Sequence, residues 1–258
     1  MSSIALFSQY EKQNLEIGQH VASRLEFRIV SMQSLIELTA EHYHIPPEEL
    51  AGVFRTKSLW RGAFSKKQTK LSACIDQQLC RMIAEDRVVF VGYAGHPIFQ
   101  EISHVLKVLV LAHPSPRSAP PDPAIKKWFS AAYQRDLEDP GLYDLTVNLA
   151  HMDVAEAGNI IINTVQNHKF APMTYSLKCM CNLELSSQIK TLLVDDYPDV
   201  MVRSHDGAVF IYSSGFKRSK QKAALDAKQT LLGLEGVSHV EVYGDKKLFD
   251  INACGQIR

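Results

Sequence analysis

The chain has 258 residues, 46% of them hydrophobic and 22% charged, which suits a packed globular protein of one large or two modest domains. Its 28 basic residues balance 28 acidic ones, which argues against a broad nucleic-acid-binding surface, so we expect no nucleic acid partner. No apolar run approaches the about 20 residues of a membrane span, and the N-terminus lacks signal-peptide features. Five cysteines without a framework spacing indicate reduced thiols and a cytoplasmic location.

From residue 4 to about residue 165, apolar runs alternate with helical patterns. The runs are Ile4–Phe7, Arg28–Val30, Val88–Gly92, Val105–Leu111 and Tyr143–Asn148, and the helical patterns between or after them include Gln33–Tyr43, Leu71–Glu85 and Val154–Val165. Continuous aliphatic and β-branched runs are typical of strands buried on both faces of a parallel sheet. The alternation predicts an α/β domain over residues 1–168 with a doubly wound parallel five-stranded sheet.

The first strand-to-helix connection predicts the position of a phosphate site but lacks its usual chemistry. After Ile4–Phe7 the sequence runs through a polar loop, Ser8–Asn14, before a helix. Backbone N–H groups at such a turn bind phosphate, and glycine lets them approach it closely. This loop has no glycine, and Glu11 adds a negative charge. Three of its residues retain useful chemistry: Ser8 as a hydrogen-bond donor, Lys12 as a charge and Asn14 as a small residue that tolerates αL.

Residues 173–258 have a different pattern, and we predict a small α+β domain there, joined to the first by a linker at Asn167–Pro172. Its predicted elements, in order, are a strand at Thr174–Cys181, a helix at Leu185–Leu193 capped near Asn182 or Ser186, a hairpin of Val200–Arg203 and Ala208–Ser213 around Asp206-Gly207, a helix at Ser219–Leu232 and a strand at Val237–Val242. Alternation along the first strand places Cys179 and Cys181 on one core-facing side, so we predict no metal site.

Four groups of residues within positions 3–166 keep a characteristic order and spacing. They are Ser8 with Glu16-Ile17-Gly18, Ser34-Leu35-Ile36, Val89–Gly92 with Tyr93-Ala94-Gly95, and Tyr133 with Asp139-Pro140, Tyr143-Asp144-Leu145 and Asn148. On these residues the first domain resembles the cytidylate kinase-like family of P-loop nucleotide kinases. The resemblance implies a nucleoside monophosphate kinase-like fold. It also implies that Ser8, Lys12 and Asn14 are remnants of a phosphate loop, and that Tyr93, Arg117 and Lys127 lie where a substrate nucleotide binds.

The departures from that family fall on the positions that carry phosphoryl-transfer chemistry, which depends on positioning and on neutralising charge. Gln9 stands where the family has an arginine, Ser31-Met32 where it has Asp-Arg, and Tyr93 where it has a basic residue. The arginine-bearing lid is reduced to Ser115–Pro123, a proline-rich loop. The main hypothesis is therefore a non-catalytic scaffold or ligand sensor without a cofactor. The alternative is an active or nucleotide-binding kinase with an atypical phosphate loop, using ATP and Mg²⁺.

A second set of signals is the Asp206-Gly207 turn, the strand Ala208–Ser213, Gly215, the helix Ser219–Leu232 and Gly236-Val237. On these residues the segment from about Leu185 to Tyr243 resembles a BON domain. This resemblance implies a module that binds phospholipid, membrane or another ligand and has no catalytic residues. Lys217, Arg218 and Lys220 form a basic cluster that indicates a patch for a small ligand or anionic lipid, although a solvated helix start is the favoured explanation.

A homodimer is also predicted as a partner arrangement. Trp60 and Phe64 lie in an apolar stretch of an otherwise polar segment, where they form either a dimer contact or ordinary packing under a loop.

Overall fold

The computed structural model describes residues 2–8, 11–55, 64–94, 96–111, 122–216 and 221–255. Its larger sheet has five parallel strands, as the sequence predicts, and their order is β2-β3-β1-β4-β5. The strands are β1 (Ser3–Ser8), β2 (Arg28–Ser31), β3 (Val88–Val91), β4 (Val105–Leu111) and β5 (Leu145–Asn148). All residues of β1 and β3, and all but the last of β4, are buried, because both faces of this sheet are covered by helices.

Six helices cover this sheet. They are α1 (Glu11–Leu25), α2 (Met32–Tyr43), α3 (Pro47–Phe54), α4 (Lys66–Ala84), α5 (Pro123–Tyr133) and α6 (Val154–Val165). Helices α1 and α6 pack on one face, and α2 to α5 build the core on the other. Capping boxes formed by Ser65 with Gln68 and by Asp153 with Glu156 fix the starts of α4 and α6.

Helices α3 and α5 are not among the predicted elements. The sequence predicts that Pro123 closes a loop, but this residue instead opens α5, where Asp122 caps the helix through Ala124 N. Residues 115–121 of that predicted loop lie outside the described residues. A 3-10 turn, His168–Phe170, occupies the predicted linker.

The C-terminal part contains α7 (Thr174–Leu193), β6 (Met201–His205), β7 (Ala208–Tyr212), α8 (Gln221–Leu232), β8 (His239–Tyr243) and α9 (Lys246–Gly255). Strands β6 and β7 are antiparallel, β7 and β8 are parallel, and the sheet order is β6-β7-β8. Helices α7 and α8 pack on one face of this small sheet and α9 on the other. The second sheet is thus present, but α9 is not among the predicted elements.

The predicted strand Thr174–Cys181 is wrong, because these residues form the first two turns of α7. The predicted cap at Asn182 or Ser186 is wrong for the same reason, since the helix begins eight or more residues earlier. Eight residues of alternating polarity fit either a strand or a helix, and within these eight the buried Ser176 and Met180 are four residues apart, which is the helical spacing. Met180 is 3% exposed and packs into the core of the larger sheet.

The predicted hairpin at Asp206-Gly207 is confirmed. Both residues have positive φ angles, 46° and 85°, which the tight turn between β6 and β7 requires. At Gly207 an added Cβ would also lie 3.0 Å from the carbonyl oxygen of Gly236, so glycine is needed for space as well as for conformation.

The two parts of the chain share a hydrophobic core. Ala73 of α4 is buried among residues of α7, α8 and the small sheet, while Met180 of α7 is buried in the larger core. His104, just before β4, bonds through Nδ1 to the Ser176 hydroxyl at 2.9 Å, and both residues are 1% exposed. The predicted division into residues 1–168 and 173–258 stays a prediction, but α7 packs against both halves.

Candidate functional site

The carboxyl edge of the five-stranded sheet is where a domain of this class binds ligands, because the strand connections diverge there between β1 and β4. A pocket of about 260 Å³ lies at this edge. Four parts of the chain line it: the end of β1, the turn after β3, the start of α5 and the loop after α5. The lining residues are Phe7, Ser8, Tyr93, Asp122, Pro123, Ile125, Lys126, Leu137 and Glu138. Drug-sized ligands occupy pockets of about 300–1,000 Å³, so this one is small for a nucleotide.

The predicted phosphate loop is largely helical. Helix α1 begins at Glu11, so the prediction that Ser8–Asn14 forms a loop is wrong for its last four residues. Gln9 and Tyr10 lie outside the described residues, as do the side chains of Glu11 and Lys12, so the predicted charge of Lys12 is not placed.

Asn14 turns inward rather than towards a ligand. Its side chain is 2% exposed, and its Nδ2 donates to the carbonyl oxygen of Leu6 at 3.2 Å. That bond fixes the orientation of the amide, so Asn14 Oδ1 is buried without a hydrogen-bond partner among the described atoms. Gln13 Oε1, on the neighbouring residue, is also buried without such a partner. Both orphan atoms are acceptors, and a phosphate oxygen offers them no proton. These two side-chain oxygens therefore offer a phosphate no hydrogen bond.

Ser8 and Tyr93 both line the pocket, so two residues predicted from sequence meet there. Ser8 is 9% exposed and pairs in register with Val110 of β4. The Tyr93 ring lies edge-on to Phe54, with 5.1 Å between ring centroids, and 6.2 Å from Trp128. Tyr93 therefore joins an aromatic cluster that belongs to the core of the domain.

The turn after β3 is tightly packed around Gly92. A Cβ on Gly92 would lie 2.5 Å from the Phe90 ring and 2.8 Å from the Met32 sulfur. The glycine that contributes to the Val89–Gly92 sequence signal thus has a packing role of its own.

The basic side chain that lines this pocket belongs to Lys126, the residue before Lys127. Lys126 Nζ lies 3.0 Å from Glu138 and 3.7 Å from Asp136, and its hydrogen bond to Glu138 raises the pKa of the amine. Lys127 is exposed and does not line the pocket, and Arg117 lies outside the described residues. With Asp122 and Glu138 against one paired ammonium group, the described pocket wall favours no anion.

The sequence offered one signal that identifies this wall. Asp122 followed by Pro123 is a helix N-cap with proline at the first helical position, and that pattern places α5 and its Lys126 at the sheet edge.

The most specific motif of the sequence, from Tyr133 to Asn148, makes hydrogen bonds within the fold. Its donors and acceptors pair as follows: Tyr133 with Asp76 at 2.8 Å, Asp139 with Gly141 N at 2.9 Å, Tyr143 with the Leu137 carbonyl at 2.7 Å, Asp144 with Lys107 at 2.9 Å, and Asn148 with Ala150 N at 3.0 Å. Burial raises the pKa of Asp76 and that of Tyr143. The motif therefore holds the fold together around β5 instead of presenting free groups to a ligand.

In the C-terminal part, the basic cluster Lys217, Arg218 and Lys220 lies outside the described residues. The expectation that Cys179 and Cys181 face the same side is wrong, because residues two apart on a helix lie about 200° apart around its axis. Cys179 is half-buried and Cys181 is exposed. Within the described ranges, no three metal-binding side chains come together, and no helix combines the length and hydropathy needed to cross a membrane.

The family comparison agrees with the five-stranded parallel sheet. Residues 3–119 match the model of the Cytidylate kinase-like family. This match covers β1 to β4 and the helices between them, somewhat under half of the chain. A crystal structure of an uncharacterized protein from Eubacterium ventriosum ATCC 27560 is similar over 65% of this chain and 99% of its own, with 12% sequence identity and a TM-score of 0.44. No curated protein matches.

Proposed function

We propose that this protein has a nucleotide-kinase-like domain without phosphoryl-transfer activity, and that it acts by binding, as a scaffold or ligand sensor. One observation carries the proposal: the segment expected to bind phosphate begins a helix at Glu11, and Asn14 within it is buried and bonded to Leu6. Phosphoryl transfer needs backbone amides and cations around the transferred group.

The electrostatics of the pocket support the same conclusion. Lys126, its basic residue, is held by Glu138 and Asp136, and neutralising a nucleotide phosphate would require breaking these pairs. The sequence also has Gln9 and Met32 where the family has arginines, so two more positive charges that would neutralise phosphate are missing.

The alternative is an active or nucleotide-binding kinase with an atypical phosphate loop. The match of residues 3–119 to the Cytidylate kinase-like family favours it, as does the position of the pocket at the carboxyl edge of the sheet. In that case Ser8 and Lys12 would serve the phosphates, with ATP and Mg²⁺ as cofactors and Arg117 and Lys127 near the substrate.

Two measurements separate these functions. The first is transfer of labelled phosphate from ATP·Mg²⁺ to CMP and to the other nucleoside monophosphates, and we expect none above a no-enzyme control. The second is calorimetry and thermal unfolding with ATP·Mg²⁺. A ligand at 100 times its Kd stabilises the folded state by about 2.7 kcal/mol, so an unchanged transition at millimolar ATP supports a domain that does not bind it. Binding without transfer identifies a nucleotide sensor, whereas transfer overturns the proposal.

We also propose that the C-terminal part is a recognition module of the BON type, with a small ligand or anionic lipid as its partner. The hairpin, α8 and β8 follow the order expected of such a module. Pelleting with vesicles containing phosphatidylserine tests this, and Lys217→Glu with Arg218→Glu should weaken it in a salt-sensitive manner. If the protein stays in the supernatant when the vesicles are pelleted, lipid binding is contradicted. A cytoplasmic location fits the free cysteines Cys74, Cys80, Cys179 and Cys181.

A further inference from the structure

A groove of about 880 Å³ runs along the outer edge of β8. Helix α8 forms one wall, the start of α9 forms the other, and the edge of the strand lies between them. The lining residues are Phe216, Ala224, Leu225, Lys228, Val240, Glu241, Val242, Tyr243, Gly244, Asp245 and Leu248. This groove is distinct from the carboxyl-edge pocket, which lies in the other sheet.

The strand at the base of the groove has unused hydrogen-bonding groups. Ser213 N donates to the Tyr243 carbonyl, so Tyr243 directs its backbone groups towards β7. Because these directions alternate along a strand, Glu241 and His239 also face β7, whereas the N–H and C=O groups of Val242 point outward and those of Val240, a fully buried residue, do not reach the surface. Among the described residues, no strand pairs with that side of β8. Such an edge is a template for pairing with another chain.

Apolar side chains flank this edge on both faces of the sheet. Leu225 on α8 is 58% exposed, and Leu248 on α9 is 53% exposed. Leu232, two turns beyond Leu225, and Ile251, one turn beyond Leu248, extend the two apolar stripes and are also exposed. Exposed apolar residues that surround an unpaired strand indicate a surface that another chain covers.

We propose that a second copy of this chain occupies the groove, with the two β8 strands antiparallel about a two-fold axis at Val242. The combined sheet then has six strands. In this arrangement the axis is perpendicular to the sheet, so α8 meets α8 of the second copy and α9 meets α9. Leu225 and Leu248 each approach their own symmetry mate, and the outward groups of Val242 bond across the axis.

The charges of β8 select this register. Pairing centred on Val242 places Glu241 opposite Tyr243 of the second copy and His239 opposite Asp245. Tyr243 already donates to Glu241 within one chain, which shows that these two side chains are compatible neighbours. Pairing centred on Glu241 would set the two carboxylates directly opposite each other, and like charges there are destabilising. The groove also extends from Val240 to Asp245 along the strand, which brackets Val242.

The oligomeric state of the full-length protein tests the proposal, measured by sedimentation equilibrium over a wide concentration range. We expect a dimer. The double variant Leu225→Glu/Leu248→Glu should raise the dimer dissociation constant at least about 30-fold, because it places carboxylates at the centre of an apolar interface. Leu177→Glu/Leu192→Glu is the matched control, since these leucines are 42% and 53% exposed on α7, outside the groove, and it should leave the dimer intact. Circular dichroism verifies that both variants fold.

Cysteine cross-linking tests the register. An equimolar mixture of Glu241→Cys and Tyr243→Cys chains should form a disulfide between the two substituted positions, identified by mass spectrometry of the linked peptides. The Glu241→Cys chain alone should form none at position 241.

Three outcomes overturn the proposal: a monomer at all concentrations, a dimer that survives the Leu225→Glu/Leu248→Glu change, or a disulfide that joins position 241 of one Glu241→Cys chain to position 241 of another.

Discussion

The carboxyl edge of the large sheet and the outer edge of the small sheet differ in what their polar groups contact. At the large sheet, Asn14 bonds to Leu6, and Lys126 is paired with Glu138, so these two side chains are used within the chain. At the small sheet, the outward groups of Val242 meet a groove with exposed leucines. Among the described residues, the polar side chains named at the carboxyl edge are thus paired, whereas the outward groups of Val242 pair with no strand. A fold class indicates where a site can be, but only unused bonding groups indicate where binding remains available.

The largest expected effect tests whether the regions containing these two edges are independent. Ile189 of α7 is fully buried in the core of the C-terminal part. We expect Ile189→Ala to lower the free energy of unfolding by about 3 kcal/mol, through lost burial and the cavity left behind. Because α4 and α7 share that core, the urea transition seen by fluorescence of the buried Trp128 should shift together with the circular dichroism transition.

Leu192→Ala is the control on the same helix, since Leu192 is 53% exposed and should change the unfolding free energy by less than about 0.5 kcal/mol. A fluorescence transition unaffected by Ile189→Ala would show that the two parts unfold separately.

The second prediction concerns the buried ion pair inside the large domain. Lys107 has a side chain only 5% exposed, with Nζ 2.9 Å from Asp144 and 3.0 Å from the Val105 carbonyl. Asp144→Ala leaves that ammonium group buried and without its carboxylate, so we expect a loss of about 2–3 kcal/mol in chemical denaturation. Asp144 is itself 32% exposed, which keeps the value at the lower end.

The exposed pair at the pocket provides the contrast. Glu138→Ala removes a carboxylate 3.0 Å from Lys126, yet the unfolding transition should barely move, because water solvates the freed amine. Equal losses of unfolding free energy for Asp144→Ala and Glu138→Ala would mean that the burial of Lys107 does not strengthen its ion pair.

The third prediction uses pH to test the contact between His104 and Ser176. Burial lowers the pKa of His104, and the N-terminus and Lys107 act in the same direction, while Asp86 opposes them. The unfolded chain then binds a proton near pH 6.5 that the folded chain excludes. The contribution of His104 to the free energy of unfolding is therefore complete above that pH. It falls as the pH drops towards the pKa of His104 in the folded protein, by at most about 1.4 kcal/mol per pH unit.

We expect His104→Gln to reduce this loss when unfolding is measured between pH 7.5 and 5. His168→Gln, at an exposed position, is the control. Partly buried carboxyls such as Asp76 and Glu184, whose pKa values are raised, contribute with the opposite sign in all three proteins and cancel in the comparison. Parallel pH profiles for the wild-type protein and His104→Gln would contradict the lowered pKa of His104.

The smallest expected effect lies at the turn between β1 and α1. Asn14→Leu removes one long hydrogen bond and also the orphan Oδ1, while the Leu6 carbonyl still accepts from Gly92 N at 3.0 Å. The two changes offset each other, so stability should stay within about 1 kcal/mol of the wild type. Any nucleotide affinity of the wild-type protein that this substitution abolished would instead assign Asn14 to a ligand.

Much of the large domain was predictable because its strands are buried on both faces. Continuous runs such as Val105–Leu111 can satisfy that environment in few other ways, and the predicted bounds of β4 match the structure. The Asp206-Gly207 hairpin was predictable for a local reason, since few residue pairs adopt positive φ angles readily.

The sequence alone thus determined the alternating α/β architecture and the hairpin, because those signals lie in burial periodicity and local backbone preference. Tertiary structure decided that residues 174–181 are helical, because their alternation fits two periods and packing against α4 favours one. It also decided that Asn14 faces inward and that Lys126 rather than Lys127 lines the pocket. These choices depend on residues far apart in the chain, which no local pattern records.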